Sequence, residues 1–309
     1  MKELIAFYSI GVITTLFSCL FFSYVLAKYR VQLKKSYLYF LIGFTVFILV
    51  FQILKYNSLK FYVDFSHWTN LLYTITQTGY PHSAFVEMLK PGTLNYLSVH
   101  FTPLIYIIGI PFKFFPESEI LMLVNYLIMI SAGIPLYKLS FCLKKDRMLS
   151  IVFVVSLFWY ATFQYITLYE FEMLRLSIPI IFWVLYFYEV KNYKFYFFTI
   201  ILAILIREEI GLTIFMFGIY LLFFRKNKKI GFSTTLIGIA SFFIITQSIM
   251  PALRGAEYEH IAMGSFENIG KSEIEIIKNI FYNPLLIFRT IFNNELIIKL
   301  ANVFMYFLP

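Results

Sequence analysis

"EILMLVNYLIMISAGIPLYKLSF", residues 119–141, decides what kind of fold this chain takes. Between Glu119 and Lys138 it holds no charged side chain. A helix of roughly 20 such residues crosses the hydrocarbon core of a bilayer. The run lacks the apolar–polar alternation of a barrel strand, and backbone groups in lipid must be satisfied within the segment, so it reads as a helix. Working outward, the same pattern recurs at 4–27, 37–55, 148–166, 175–190, 195–206, 210–224 and 230–250, with a last apolar run at 295–309. The whole chain is 60% hydrophobic, 14% charged and has a mean hydropathy of +0.77. A soluble domain cannot hide that much apolar surface. The expectation is an all-α, polytopic membrane helix bundle, a single transmembrane domain over residues 1–309. The net charge of +9 reads as lysine-rich cytoplasmic loops, not as a nucleic-acid surface, and no nucleic-acid partner is expected. Cys19 and Cys142 lie inside apolar runs, where small packing residues are the expectation, so cysteine says nothing about compartment.

Basic clusters orient the helices. Lys28, Arg30, Lys34 and Lys35 form the first, Lys144, Lys145 and Arg147 the second, Lys191 and Lys194 the third, and Arg225, Lys226, Lys228 and Lys229 the fourth. All fall on the cytoplasmic side only if "FTPLIYIIGIPFKFF", residues 101–115, does not cross the membrane. At about 22 Å it is also short for a span. It is therefore expected as a juxtamembrane or re-entrant helix in the first external loop. The run 4–27 reads as a first span or as a signal peptide; cleavage of a signal would place Lys28 to Lys35 outside, against the charge rule.

With that topology, polar chemistry collects on the outer side. Asp64, Glu87, Glu170, Glu172, Glu208, Glu209, Glu257 and Glu259 fall there, together with His67, His82, His100 and His260; Asp146 and Glu189 fall inside. Acidic residues contribute little to orientation, so the asymmetry points to a polar site at the outer surface. In "IREEIG", Arg207, Glu208 and Glu209 separate two apolar runs with no turn residue before Gly211. Ionisable groups at that depth face a cavity or a partner; the plain alternative is a tight hairpin with solvated charges. Glu170 and Glu172 in "LYEFEML" have a short solvated loop as their plain reading, and His100 a helix-start residue. "GSFENIGKS", 264–272, has the wrong glycine spacing for a phosphate-binding loop. No zinc spacing and no Gly-x-Ser-x-Gly occurs.

"YVDFSHW", "VHFTPLIYIIGIPFKFFPESEILMLVNYLIMISAGIPLYKLS", "YEFEMLRLSIP" and "LIREEIGL", in this order, resemble an uncharacterised family of bacterial and archaeal multi-pass membrane proteins grouped with the GT-C glycosyltransferases. The resemblance covers about 60–309 and includes "MGSFENIGKSEIEIIKNIFYNPLLIF". It implies a GT-C type bundle over about 37–309, with 4–27 as an extra N-terminal helix and a C-terminus shorter than in its relatives. It implies transfer of a sugar from a polyprenyl-phosphate donor to an acceptor on the outer face of the plasma membrane. Asp64 matches the acid of the first external loop and Glu170 that of the second, which makes both candidate catalytic residues. Glu172 stands where the family pattern has histidine. An inverting transfer needs a general base, the role given to Asp64. The leaving lipid phosphate needs a cation, from Arg207, Arg254 or a divalent metal ion with Asp64, Glu170 and Glu172 as candidate ligands. His100, Glu208, Glu209 and His260 complete the expected substrate-binding set. A binding protein or transporter for the lipid-linked sugar is the alternative from another class.

Overall fold

The computed structural model describes residues 43, 46, 50 and 54, then 63–89, 95–254, 269–270 and 273–291. Among the described residues every regular element is helical. The expected helix 37–55 is described only at Gly43, Val46, Val50 and Leu54, all helical; the expected helices 4–27 and 295–309 and the candidate His260 lie outside the described residues. The chain divides into two compact units, one over 21–256 and one formed by 1–20 with 257–309.

In the larger unit, α1 (Val63–Thr78) and α2 (Ala84–Leu89) precede a single 3₁₀ turn at Tyr96–Ser98 and α3 (Ile105–Phe114). Helix α1 is amphipathic: Phe65, Trp68, Leu72 and Ile75 recur at helical spacing and are buried, while Asp64, Ser66, Tyr73 and Gln77 are exposed. It packs on α3, where Gly109 lets Leu72 and Ile75 approach. The run 101–115 forms a short helix over 105–114, about 15 Å long.

Helices α4 (Ser118–Ser131) and α5 (Gly133–Lys144) continue one another as a 27-residue segment whose most apolar 18-residue stretch has a mean hydropathy of 1.9. The ladder steps at Ala132, because Pro135 has no N–H to give the Ser131 carbonyl. The expected helix 148–166 is instead two, α6 (Arg147–Trp159) and α7 (Ala161–Leu168), bent by 57°. No proline or glycine marks this break; Tyr160 is extended, and the Gln164 amide caps the freed Phe158 carbonyl at 3.2 Å. A 3₁₀ turn at Met173–Leu176 leads into α8 (Ser177–Glu189), followed by α9 (Tyr193–Ile204) and α10 (Ile210–Phe223). Helix α11 (Lys228–Ile244) widens at Ile245–Ile249 and resumes as α12 (Met250–Arg254), 27 residues in all. The widened turn lies just before Pro251, which cannot donate to the ladder. By length and composition, Ser118–Lys144 and Lys228–Arg254 each suffice to cross a membrane, and α6 with α7 make a third if they act as one broken span.

The three basic clusters among the described residues sit on hairpin turns of one design; the first, Lys28 to Lys35, lies outside them. Lys145, Lys191 and Lys226 adopt the left-handed conformation, with φ of 58°, 56° and 51°. Each is followed by an Asx residue that caps the next helix: Asp146 accepts from Met148 N at 2.8 Å, Asn192 from Phe195 N and Asn227 from Ile230 N. The hairpin of α10 and α11 is the tightest contact. A methyl group built on Gly218 would run into the Thr235 backbone, and one on Gly238 into that of Phe215. Between lipid-facing helices such small residues are what allows the backbones to pack.

The opposite ends of these helices are covered by 63–89 and 95–104. Leu104 N–H reaches the Leu205 carbonyl at 3.4 Å, and Arg254 Nη2 donates to the Ser98 carbonyl at 3.2 Å. The second unit contributes α13 (Glu273–Tyr282) and α14 (Pro284–Ile291), separated by Asn283.

Candidate functional site

Four segments that are remote in sequence meet at the covered end. The turn between α9 and α10 supplies Arg207, Glu208 and Glu209; the loop after α7 supplies Glu170, Glu172 and Arg175; the 3₁₀ turn supplies Tyr96 and, just beyond, His100; α1 supplies Asp64 and His67.

His100 is the bridge. Its Nδ1 lies 2.9 Å from Glu208 Oε1 and its Nε2 lies 3.1 Å from Arg207 Nη2. A guanidinium can only donate, so Nε2 accepts and Nδ1–H donates to Glu208. This fixes the neutral Nδ1–H tautomer. Glu208 Oε2 also accepts the Phe101 N–H at 2.9 Å. Burial pushes the Glu208 carboxyl up, but the His100 hydrogen bond and the backbone amides of Glu208 and Phe101 outweigh it and hold the group below its ordinary value. Glu209, only half-buried, is raised by partial burial, with Arg207 opposing and Glu208 adding to the rise.

Arg207 is heavily engaged. Nη1 donates to Glu172 Oε1 at 2.9 Å, and Nε lies 3.1 Å from Glu209 Oε1. That Nε–H points off the carboxylate, so the contact is an ion pair without an aligned hydrogen bond. One guanidinium thus faces three carboxylates, those of Glu172 and Glu209 directly and that of Glu208 through His100.

Glu170 is 1% exposed, and its Oε2 accepts the Phe65 N–H at 2.7 Å. A buried carboxylate from the second loop therefore clamps the first turn of α1, one residue from Asp64. Asp64 itself is exposed and forms no hydrogen bond or ion pair among the described residues. Tyr96, buried at 4%, lies between the His67 and His100 rings at centroid distances of 4.9 and 6.1 Å. Burial drives its hydroxyl well above the usual phenol range; Glu172, Glu208 and Asp64 add to the rise and Arg207 opposes it. Tyr96 thus lies in the field of all four groups. His67 bonds Ser83 Oγ at 2.7 Å. Burial holds its imidazole down at about 4, with Asp64 pulling upward and His100 adding to the lowering.

Hydrogen bonds and ion pairs join His100, Glu172, Arg207, Glu208 and Glu209 in one network, with Arg254 on its border at Ser98; Glu170 is held on the Phe65 amide beside Asp64, and Asp64 makes no bond to the network among the described residues. The metal candidates do not converge: Glu170 is spent on an amide and Glu172 on Arg207. Among the described residues no three His, Cys, Asp or Glu side chains are set to hold an ion. His82 pairs separately with Glu87 at 2.6 Å. Two residues escaped the sequence reading. Arg175, 7% exposed, donates from Nη1 to Asn125 Oδ1 at 2.9 Å, and Asn125 is 1% exposed within the apolar α4. Burial pushes Arg175 down to about 10, with Glu172, Tyr169, Glu170 and Tyr165 pulling it back up. The one available signal was the amide itself, a polar group placed inside an apolar span.

A family model described as predicted membrane protein, DUF2079, matches residues 63–309. No curated protein and no solved structure matches the chain.

Proposed function

From a chain that belongs to the DUF2079 family of predicted membrane proteins, we propose a GT-C-like, multi-pass glycosyltransferase. It moves a sugar from a polyprenyl-phosphate donor to an acceptor on the extracytoplasmic face. The observation that carries this reading is the uneven length of the helices around the network. Ser118–Lys144 and Lys228–Arg254, at 27 residues each, extend about 40 Å. Helices α8, α9 and α10, of 13, 12 and 14 residues, extend only about 20, 18 and 21 Å from their basic turns. With those turns at one membrane surface, the charged ends stop roughly 10 Å short of a 30 Å hydrocarbon core. The result is a polar recess roofed by 63–89 and 95–104, at the depth where a lipid phosphate and an aqueous acceptor both reach.

In this reading Asp64 is the general base. It takes the acceptor hydroxyl proton as the oxygen attacks the anomeric carbon; the bond from that carbon to the phosphate oxygen breaks and the lipid phosphate leaves with the electron pair. Glu170 works through the Phe65 amide, fixing the turn that presents Asp64. The carboxylates of Glu172 and Glu209 accept hydrogen bonds from sugar hydroxyls. No step runs through a metal ion.

Two measurements test the reading. Cysteine at the exposed Gln77 is expected to label from outside intact cells and cysteine at Asn227 is not; the reverse pattern inverts the topology. Membranes carrying the protein are expected to release polyprenyl phosphate from at least one radiolabelled polyprenyl-phosphate hexose and to label an acceptor. Release no faster than from membranes lacking the protein, across the common hexoses, removes the transferase.

A further inference from the structure

Arg207, the obvious cation for a phosphate, is already bracketed by carboxylates at 2.9 and 3.1 Å. An incoming phosphate would have to displace Glu172 or Glu209 there and would approach a cluster with surplus negative charge. Arg175 is the opposite case. It is more than nine-tenths buried, yet no carboxylate forms an ion pair with it among the described residues. Its contacts are neutral: Nη1 donates to Asn125 Oδ1 at 2.9 Å and, weakly, to the Tyr169 carbonyl at 3.5 Å, and its Cζ lies 5.6 Å from the Tyr169 ring centroid. All hydrogen bonds use Nη1. The Nε and Nη2 groups, which share the other edge of the guanidinium, make none among the described residues. A buried cation without a counter-ion is costly and is kept where an anion completes it.

The geometry of the free edge is specific. Nε–H and Nη2–H point in parallel and match two oxygens of a phosphate as a fork, which a lysine cannot do. The plane of the fork is set from a rigid helix. Asn125 Nδ2 donates to the Thr167 carbonyl at 3.3 Å, which leaves its Oδ1 facing Arg175. An amide buried in an apolar segment, satisfied only by that carbonyl and this guanidinium, has positioning as its evident purpose. Arg175 also lies five residues beyond Glu170, whose carboxylate holds the turn carrying Asp64. Anion site and free carboxylate are therefore linked through one loop.

We propose that the Nε–Nη2 edge of Arg175, oriented by Asn125, is the phosphate-binding site of this protein, and that Arg207 is a structural clamp for Glu172, Glu209 and His100. The identity of the phosphate as that of a prenyl-linked donor rests on the function proposed above; the anion site itself does not. Asn125 then acts as a positioning residue.

The test is equilibrium binding of radiolabelled farnesyl phosphate, and separately of inorganic phosphate, to the purified full chain in a maltoside detergent that carries no phosphate. Wild type is expected to bind farnesyl phosphate, and Arg175→Gln to bind it at least about tenfold more weakly, the loss of a charge-assisted fork. Because a loss in Arg175→Gln can also come from unfolding, Asn125→Asp is the second arm, each variant being read beside its melting temperature. It keeps the arginine and supplies an internal carboxylate to the same guanidinium, at the loss of the hydrogen bond to the Thr167 carbonyl, and it is expected to weaken binding by a similar factor in protein that remains folded. Arg207→Gln is expected to stay within about twofold of wild type. Wild type that binds neither probe overturns the site, as does equal affinity in wild type, Arg175→Gln and Asn125→Asp, or a loss confined to Arg207→Gln. Binding of inorganic phosphate that depends on Arg175 but gains nothing from the prenyl chain upholds the anion site and removes the lipid-donor reading.

Discussion

Replacing Glu208 by alanine removes the carboxylate that ties His100 and Phe101 to the α9–α10 junction, and its cost follows from the contacts. Two donors lose their acceptor: His100 Nδ1–H and the Phe101 N–H, each at 2.9 Å and each bonded to a carboxylate oxygen with little solvent to replace it. Hydrogen bonds to a charged partner contribute about 1.5–3 kcal/mol apiece. Part of their sum is offset because the carboxylate no longer has to be desolvated, which leaves about 3–5 kcal/mol, the range found when one partner of a buried pair is deleted. Glu208→Gln is expected to cost less, about 1–3 kcal/mol. Its amide oxygen still accepts from Phe101, but its NH₂ now faces His100. With the present tautomer two donors oppose each other, and with the other tautomer Nε2–H opposes Arg207. The pH dependence carries a sign. The Glu208 carboxyl is depressed in the folded state, so its stabilisation is complete above the ordinary glutamate range, about 4.3, and is lost as pH falls towards the folded value. The gap between wild type and Glu208→Gln is therefore expected to narrow on acidification below that range. Reversible unfolding in mixed micelles, followed by helical circular dichroism, measures both quantities. A Glu208→Ala variant within about 0.5 kcal/mol of wild type, or a glutamine variant worse than alanine, refutes the reasoning.

Three further outcomes are expected. His67, held at about 4 against an ordinary 6.5, stays neutral in the folded protein while the unfolded chain takes up a proton, so stability falls as pH drops through that window, by about 2 kcal/mol at pH 5; His67→Phe removes this slope in the same unfolding assay. Gly218→Ala is expected to cost about 1–3 kcal/mol by overpacking against Thr235, whereas Gly109→Ala, which meets only Leu72 and Ile75 at an ordinary 3.7 Å, is expected to gain up to about 1 kcal/mol of helix propensity. Lys226→Gly relieves a left-handed lysine and is expected to stabilise by about 1 kcal/mol, and Asn227→Ala to destabilise by about as much, both read from melting midpoints.

The parts of this protein that lipid dictates were legible in its sequence. Apolar runs at 210–224 and 195–206 became helices at Ile210–Phe223 and Tyr193–Ile204, because length and charge alone fix such segments. The run 101–115 is helical over Ile105–Phe114, shorter than a span, as its length and two prolines suggest. The break between Trp159 and Ala161 was invisible, since no helix-breaking residue stands there and the freed carbonyl is capped by a glutamine that reads as ordinary. The site was half legible. Arg207, Glu208 and Glu209 stand out as charges at an apolar junction. That Glu170 spends its charge on the Phe65 amide could not be read, because an amide 105 positions away has no sequence signature. Arg175 and Asn125, 50 positions apart, have unremarkable readings singly, and only their contact makes them a pair.

The carboxylate of Asp64, left free at the mouth of the recess, is the proposed base of the sugar transfer. The most direct test compares Asp64→Asn with wild type for turnover of a polyprenyl-phosphate sugar and for affinity towards the same donor. The account predicts a fall in turnover of about 10²–10⁴-fold with donor affinity unchanged within about twofold, since the base acts on the acceptor. Full transfer by Asp64→Asn, or a loss of donor binding equal to the loss of turnover, contradicts it.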